Sequence, residues 1–311
     1  MSYSGRMQTN HYYSVFFAPR GRDRMYDLGM QIAQMYLSPY DKLIGIIGES
    51  GSGKSMIIKG MFPGLELTND DDGVNIRPLP LIDQSEYGFF TAHTYHLDIR
   101  FEAAFTQLGT LAEAITRAVK NGKRVIVEHF DLIYPLMKGV NANLLIGIGE
   151  EVIITRPTIF GPLPGELHER VARSVELRRM THTAEDLCEA FLGEKELARC
   201  RHRDIKHGFV LAFPEPPPDV DLQAMEDYVK DCIKNDLPIS YVDDGHVRIG
   251  DRVQPCTGPR THVASTGCIE GFRLLKRIVY DPIDSAYLIA GRVGPGAGGD
   301  SIDDVNDISK E

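Results

Sequence analysis

The chain has 311 residues, enough for two ordinary domains, and its 42% hydrophobic and 25% charged residues describe a folded protein, not a disordered one. With 34 Lys and Arg against 44 Asp and Glu, the net charge is −10, so any contact with nucleic acid would need a local basic patch. No apolar run is long enough to span a membrane. The five cysteines (Cys188, Cys200, Cys232, Cys256 and Cys268) lack the spacing of a secreted scaffold, and no signal-peptide pattern opens the chain; both point to a reducing cytoplasm.

Strand and helix signals alternate through the first half. "HYYSVFF" (11–17) reads as a strand, and the next segment sets Met25, Leu28, Ile32 and Met35 on one helical face. "KLIGIIG" (42–48), a short apolar run ending in glycine, predicts a buried parallel strand, with a helix starting at Lys54. Leu108, Leu111, Ala112, Ile115, Ala118 and Val119 have helical spacing up to the "NG" stop at 121–122, and "RVIVEHFD" (124–131) follows as another strand. "NLLIGIG" and "EVIIT" add two more apolar runs, so the pattern predicts a parallel α/β sheet. "RPTIFGPLPGE" (156–166), with three prolines and two glycines, reads as a linker. Beyond it come two helices, near 166–178 and 181–192, the strand "HGFVLAF", a break at "PEPPPD" (214–219) and an amphipathic helix facing inward with Met225, Tyr228, Val229 and Cys232. Short strands through "GFRLLKRIVY" and "SAYLIAG" complete an α+β second half. The expected domains are 1–163 and 164–291, with 292–311 as a flexible acidic tail.

"GESGSGKS" (48–55) fits the phosphate-loop pattern G-x-x-x-x-G-K-[ST] with Gly48, Gly53, Lys54 and Ser55 in register. Glycines allow backbone N–H groups, here around Ser50, Gly51 and Gly53, to turn inward on phosphate oxygens at a helix N-terminus. Lys54 would neutralise the β- and γ-phosphates, and the Ser55 hydroxyl would ligate Mg²⁺. Phosphoryl transfer also needs a carboxylate on a neighbouring strand, and Glu128 and Asp131 close "RVIVEHFD". Asp70, Asp71 and Asp72 read as a solvated acidic loop, and His93 and His96 in "HTYH" as surface or core histidines. The absence of an "NKxD"-type guanine-specifying element favours ATP.

In the second half, "THTAEDL" (181–187) puts His182 and Asp186 four apart, on one helix face. "CTGPRTHVASTG" (256–267) adds Cys256 and His262, and these four could complete a tetrahedral zinc site. Cys200, His202 and His207 in "CRHRDIKH" are alternative ligands, or a basic run able to touch phosphates. Together the two stretches resemble the second additional, editing-type domain of threonyl- and alanyl-tRNA synthetases over about 166–290, with Val263, Thr266, Gly267, Ile269 and Phe272 also in place. Asp186 stands where that family has a second histidine, the Cys-to-His gap is two residues longer, and no Gly-Gly-Gln stretch is found. The first half resembles a P-loop kinase of the nucleoside-kinase kind.

These resemblances imply an ATP- and Mg²⁺-binding phosphotransferase or ATPase joined to a zinc-binding domain whose partner is tRNA or aminoacyl-tRNA. They equally allow a zinc-dependent aminoacyl-tRNA deacylase under nucleotide control, or a non-catalytic tRNA-binding ATPase with a structural metal.

Overall fold

The computed structural model describes residues 12–65, 67, 80–295 and 306. Asp70, Asp71, Asp72 and nearly all of the tail after 295 lie outside the described residues. The described residues form two compact units: those of Asp23–Arg173 with 12–16, and Phe17–Arg22 with those from Ser174 onward.

The first unit is built on a six-stranded sheet. Its elements in chain order are β1 (Tyr13–Phe17), α1 (Arg22–Tyr36), β2 (Leu43–Gly48), α2 (Lys54–Met61), α3 (Pro80–Tyr87), β3 (Thr94–Asp98), α4 (Leu108–Lys120), β4 (Arg124–Glu128), β5 (Leu144–Ile148) and β6 (Glu151–Thr155). The strand order is β1-β6-β5-β2-β4-β3. Every residue of β2 and β5 is buried, as expected of strands covered on both faces. Strands β5, β2, β4 and β3 are parallel, but β6 runs antiparallel to β5. The parallel sheet expected from the sequence is thus a mostly parallel one, with the β5–β6 pair antiparallel. Only Gly149 and Glu150 separate β5 from β6, and so short a link closes a hairpin, whereas a parallel return needs a crossover of about a dozen residues.

Helix α1 buries Met25, Leu28, Gly29 and Ile32, the i, i+3, i+4, i+7 stripe. Met35, expected on the same face, is exposed; the stripe continues instead to Tyr36, whose ring meets Phe16 edge-on at 6.3 Å. Helix α4 buries Leu111, Ala112, Ala114, Ile115 and Ala118 and ends at Asn121, with Gly122 at φ 75°, where the "NG" stop places it. Helix α3 and strand β3 carry only short patterns and were not anticipated.

The remaining elements are α5 (Pro164–Leu192), β7 (Arg201–Ile205), β8 (Gly208–Phe213), α6 (Leu222–Lys234), β9 (Ile239–Asp243), β10 (His246–Ile249), β11 (Arg252–Pro255), β12 (Arg273–Leu274), β13 (Val279–Asp281) and β14 (Ala286–Arg292). The two expected helices are one continuous helix, α5, because no proline or glycine interrupts residues 166–192. Strands β7, β8, β12, β13 and β14 form an antiparallel sheet, and β9, β10 and β11 a three-stranded meander. The "CRHRDIKH" run is mostly strand β7, paired with β8 through a tight turn in which His207 has φ 55°. Asp221 caps α6 by accepting from Gln223 N and Ala224 N, and Met225, Val229 and Cys232 point into this unit's core with Phe209, Leu211 and Phe213. Among the described residues no helix is long and apolar enough to cross a membrane.

Candidate nucleotide and metal sites

In the first unit, the loop from Gly48 to Gly53 joins the carboxyl end of β2 to the first turn of α2, the strand–loop–helix context that the phosphate-loop motif requires. Gly51 and Gly53 have φ of 77° and 92°, conformations that side chains other than glycine rarely adopt. A Cβ at Gly53 would also lie 2.7 Å from Met25 Cε. Ser50 and Gly51 form the tip, and Ser55 follows Lys54 in the first helical turn. The Lys54 ammonium is almost fully buried and donates to Gly48 O at 3.2 Å and Glu49 O at 3.0 Å, so it folds back over the loop. Burial lowers its pKa, opposed by Glu128 and Asp98.

Glu128 ends β4, the strand beside β2, and its Oε2 lies 3.8 Å from Lys54 Nζ. Its Oε1 is 3.1 Å from His96 Nε2. The expected core histidine therefore has an acidic partner, whereas His93 is exposed. Asp98 ends β3 directly opposite Glu128 in the ladder, and Asp98, Glu128 and His129 form a compact group with the donor types of a metal site. The carboxyl ends of β2, β4 and β3 thus gather a lysine and two carboxylates at the edge where open α/β sheets bind ligands. His129 has φ 56°, and burial with the nearby Lys54 charge depresses its pKa to about 3, so it is a neutral imidazole. Asp131 turns toward α5: its Oδ2 is 3.2 Å from His168 Nδ1. Burial raises its pKa, against the opposing pull of His168.

Sequence reasoning overlooked Asp98, His129, Glu102 and His168. The signal for Asp98 was available in "TYHLDIR", where an aspartate closes an apolar run and accepts from Arg100 N and Phe101 N as the cap of a single helical turn, Ile99–Glu102.

In the second unit, α5 brings His182 and Asp186 to one face, and the loop after β11 brings Cys256 and His262 against them. His182 Nε2 is 3.2 Å from Cys256 Sγ, His262 Nε2 is 3.3 Å from the same sulfur, and Asp186 Oδ2 is 3.5 Å from His262 Nε2. Zinc bonds of about 2.0–2.3 Å in a tetrahedron place neighbouring ligands about 3.3–3.7 Å apart. The three spacings above, 3.2–3.5 Å, lie in or just below that range. The donor set fits zinc, since a thiolate, two imidazoles and a carboxylate suit Zn²⁺ better than Mg²⁺. Asp186 Oδ2 is buried without a hydrogen bond, a cost that a bound cation would relieve.

The surrounding groups orient these ligands. Thr183 spends its one hydroxyl proton on Arg179 O at 2.9 Å, so at 3.2 Å its oxygen accepts from His262 Nδ1–H. That tautomer leaves the lone pair on Nε2, the nitrogen facing Cys256 and Asp186. Burial, reinforced by His182, lowers the His262 pKa to about 2, which keeps the ring neutral. Burial raises the Cys256 thiol, and Asp186 adds to the effect. Glu185 sits 3.8 Å from His182 Nδ1 and is gripped by Arg20 at 2.7 and 3.2 Å. Burial would raise the Glu185 carboxyl, but Arg20, His182 and His202 reverse this and hold it well below its usual range. A Cβ at Gly258 would strike the backbone of Arg20 and crowd His182 Nε2, so this loop position must be glycine.

His202, an alternative ligand in the sequence, faces Glu185 and Glu189 at 3.2 Å each, and the three form a further group with the donor types of a metal site. Cys200 and His207 join none of the potential metal groups among the described residues. Arg20 and Glu185, 165 residues apart, could not have been paired from the sequence, although Glu185 falls at i+3 from His182. Comparison with known proteins supplies no family: no family model matches the chain, and no curated protein matches it.

Proposed function

We propose that the chain is an ATP-binding P-loop phosphotransferase or ATPase joined to a zinc-binding domain of the tRNA synthetase editing type. The observation that carries the nucleotide reading is the 3.8 Å approach of Lys54 to Glu128 at the carboxyl ends of adjacent parallel strands, with a glycine loop between strand and helix. In this reading the backbone N–H groups of Ser50, Gly51 and Gly53 and the Lys54 ammonium hold phosphate oxygens, and Ser55 supplies a hydroxyl to Mg²⁺. Glu128 holds that Mg²⁺ through water or receives the acceptor's proton. Asp131 is less suited to the role, because it is engaged by His168.

His182, Asp186, Cys256 and His262 would hold Zn²⁺, which in such a closed set supplies folding energy to the domain. Four protein ligands with side chains at most about a tenth exposed favour a structural centre over a hydrolytic one, which keeps an open position for water. This supports the non-hydrolytic reading over the deacylase. The 3′ end of a tRNA is the ligand class that the resemblance implies.

Calorimetry with ATP and Mg²⁺ on the wild type and on Lys54→Ala tests the nucleotide reading, with turnover assayed against nucleosides, amino acids and charged tRNAs. The expected result is a large loss of affinity in Lys54→Ala; equal affinity in the two proteins defeats the assignment.

A further inference from the structure

Glu49, the second residue of the phosphate loop, is an odd choice for a cradle of anions. Its carboxylate meets two side chains: Arg100 Nη2 at 3.4 Å from Oε2, and His168 Nε2 at 3.9 Å from Oε1. Its backbone oxygen accepts from Lys54 at 3.0 Å. Two cations, Arg100 at the carboxylate and Lys54 at the backbone oxygen, therefore converge on a single loop residue.

The backbone at Arg100 is fixed, because Asp98 Oδ1 accepts from Arg100 N at 2.8 Å and from Phe101 N at 3.2 Å. The guanidinium itself is open to solvent, its side chain 44% exposed. An ion pair at 3.4 Å with that exposure contributes little and is easily exchanged. A guanidinium on a phosphate makes paired, charge-assisted hydrogen bonds, which are stronger. Arg100 also sits two residues from Asp98, which stands opposite Glu128 in the ladder, on the side of the loop where the carboxylates gather.

We infer that Arg100 binds the terminal, transferable phosphate of the nucleotide, and that Glu49 is the loop's own placeholder for it. When a triphosphate enters, Arg100 exchanges the Glu49 carboxylate for γ-phosphate oxygens and faces Lys54 across them. A diphosphate lacks those oxygens and leaves Arg100 on Glu49. The loop thereby distinguishes triphosphate from diphosphate using two residues outside the phosphate-loop consensus. This inference rests on the nucleotide reading above.

The test is calorimetry with ATP and with ADP, plus ATP turnover, on the wild type, Arg100→Ala, Arg100→Lys, Glu49→Gln and Lys54→Ala. Arg100→Ala is expected to weaken ATP about tenfold or more, leave ADP within twofold, and cut turnover about a hundredfold. Arg100→Lys should recover part of the ATP affinity, because it keeps the charge and loses the fork. Glu49→Gln should tighten both nucleotides several-fold by removing a negative charge beside the phosphates. If wild type and Lys54→Ala bind ATP differently while Arg100→Ala matches the wild type, the Arg100 assignment falls and the phosphate-loop reading stands. If Arg100→Ala weakens ATP and ADP equally, the terminal-phosphate assignment is wrong. If the wild type binds neither nucleotide, both readings fall together. Arg100 and Glu49 are both partly exposed, so these substitutions leave the fold intact.

Discussion

The sulfur of Cys256 lies 3.2 Å from Nε2 of His182, although 74 residues separate the two in the chain. The pair forms one edge of a cage that His262 and Asp186 complete, and the cage lies wholly within the second unit. Its residues come from one helix and one loop, so its assembly depends on the folding of that unit.

Purified without a histidine tag, the protein should contain about one zinc per chain by elemental analysis. Cys256→Ser with His262→Ala should abolish it and lower the melting temperature of the second unit, while ATP affinity stays near the wild-type value. A metal-free wild type that also refuses added zinc would show that Asp186 and the longer Cys-to-His loop do not support a centre.

Thr183→Val removes, at nearly constant volume, the hydroxyl oxygen that His262 Nδ1 and Val263 N share. Losing the Oγ acceptor frees the ring from the tautomer that points the Nε2 lone pair at Cys256. Zinc affinity, read by competition with a chelator, should fall about 10- to 100-fold, as is usual when a ligand's supporting hydrogen bond is removed. Thr183→Ser should restore it. Unchanged affinity in Thr183→Val would leave Thr183 a packing residue only.

Glu102 predicts a pH dependence in the first unit. Its carboxyl is fully buried with neither oxygen hydrogen-bonded; burial and the neighbouring Asp98 charge raise its pKa from 4.5 to about 7. The folded state thus holds a proton that the unfolded state releases above about pH 4.5. The resulting stabilisation is complete below that pH and is lost as pH rises through about 7, at most about 3 kcal/mol for such a difference. Glu102→Gln, which mimics the neutral acid, should flatten the stability profile of the first unit between pH 4.5 and 7 and raise its melting temperature at pH 8. An unchanged slope in this window would mean that Glu102 ionises as freely in the folded protein as in the unfolded chain.

Local order was legible in the sequence by itself, because it is set by covalent spacing. The glycine loop ahead of Lys54, the all-apolar β2, the "NG" stop of α4 and the shared face of His182 and Asp186 all follow from 3.6- and 2-residue periods and from turn chemistry. Short range also set the limit. A two-residue link made β6 antiparallel, and a helix without a breaker ran on through the gap expected near 179–180. The tertiary structure alone decided which distant polar groups meet: Arg20 with Glu185, Arg100 with Glu49, His96 with Glu128, and Thr183 with His262. These contacts span from 32 to 165 residues, and chain packing rather than residue periodicity brings their ends together. The candidate ligand types and the candidate phosphate loop can be named along the chain. Their partners exist only once strand order and helix docking have placed them.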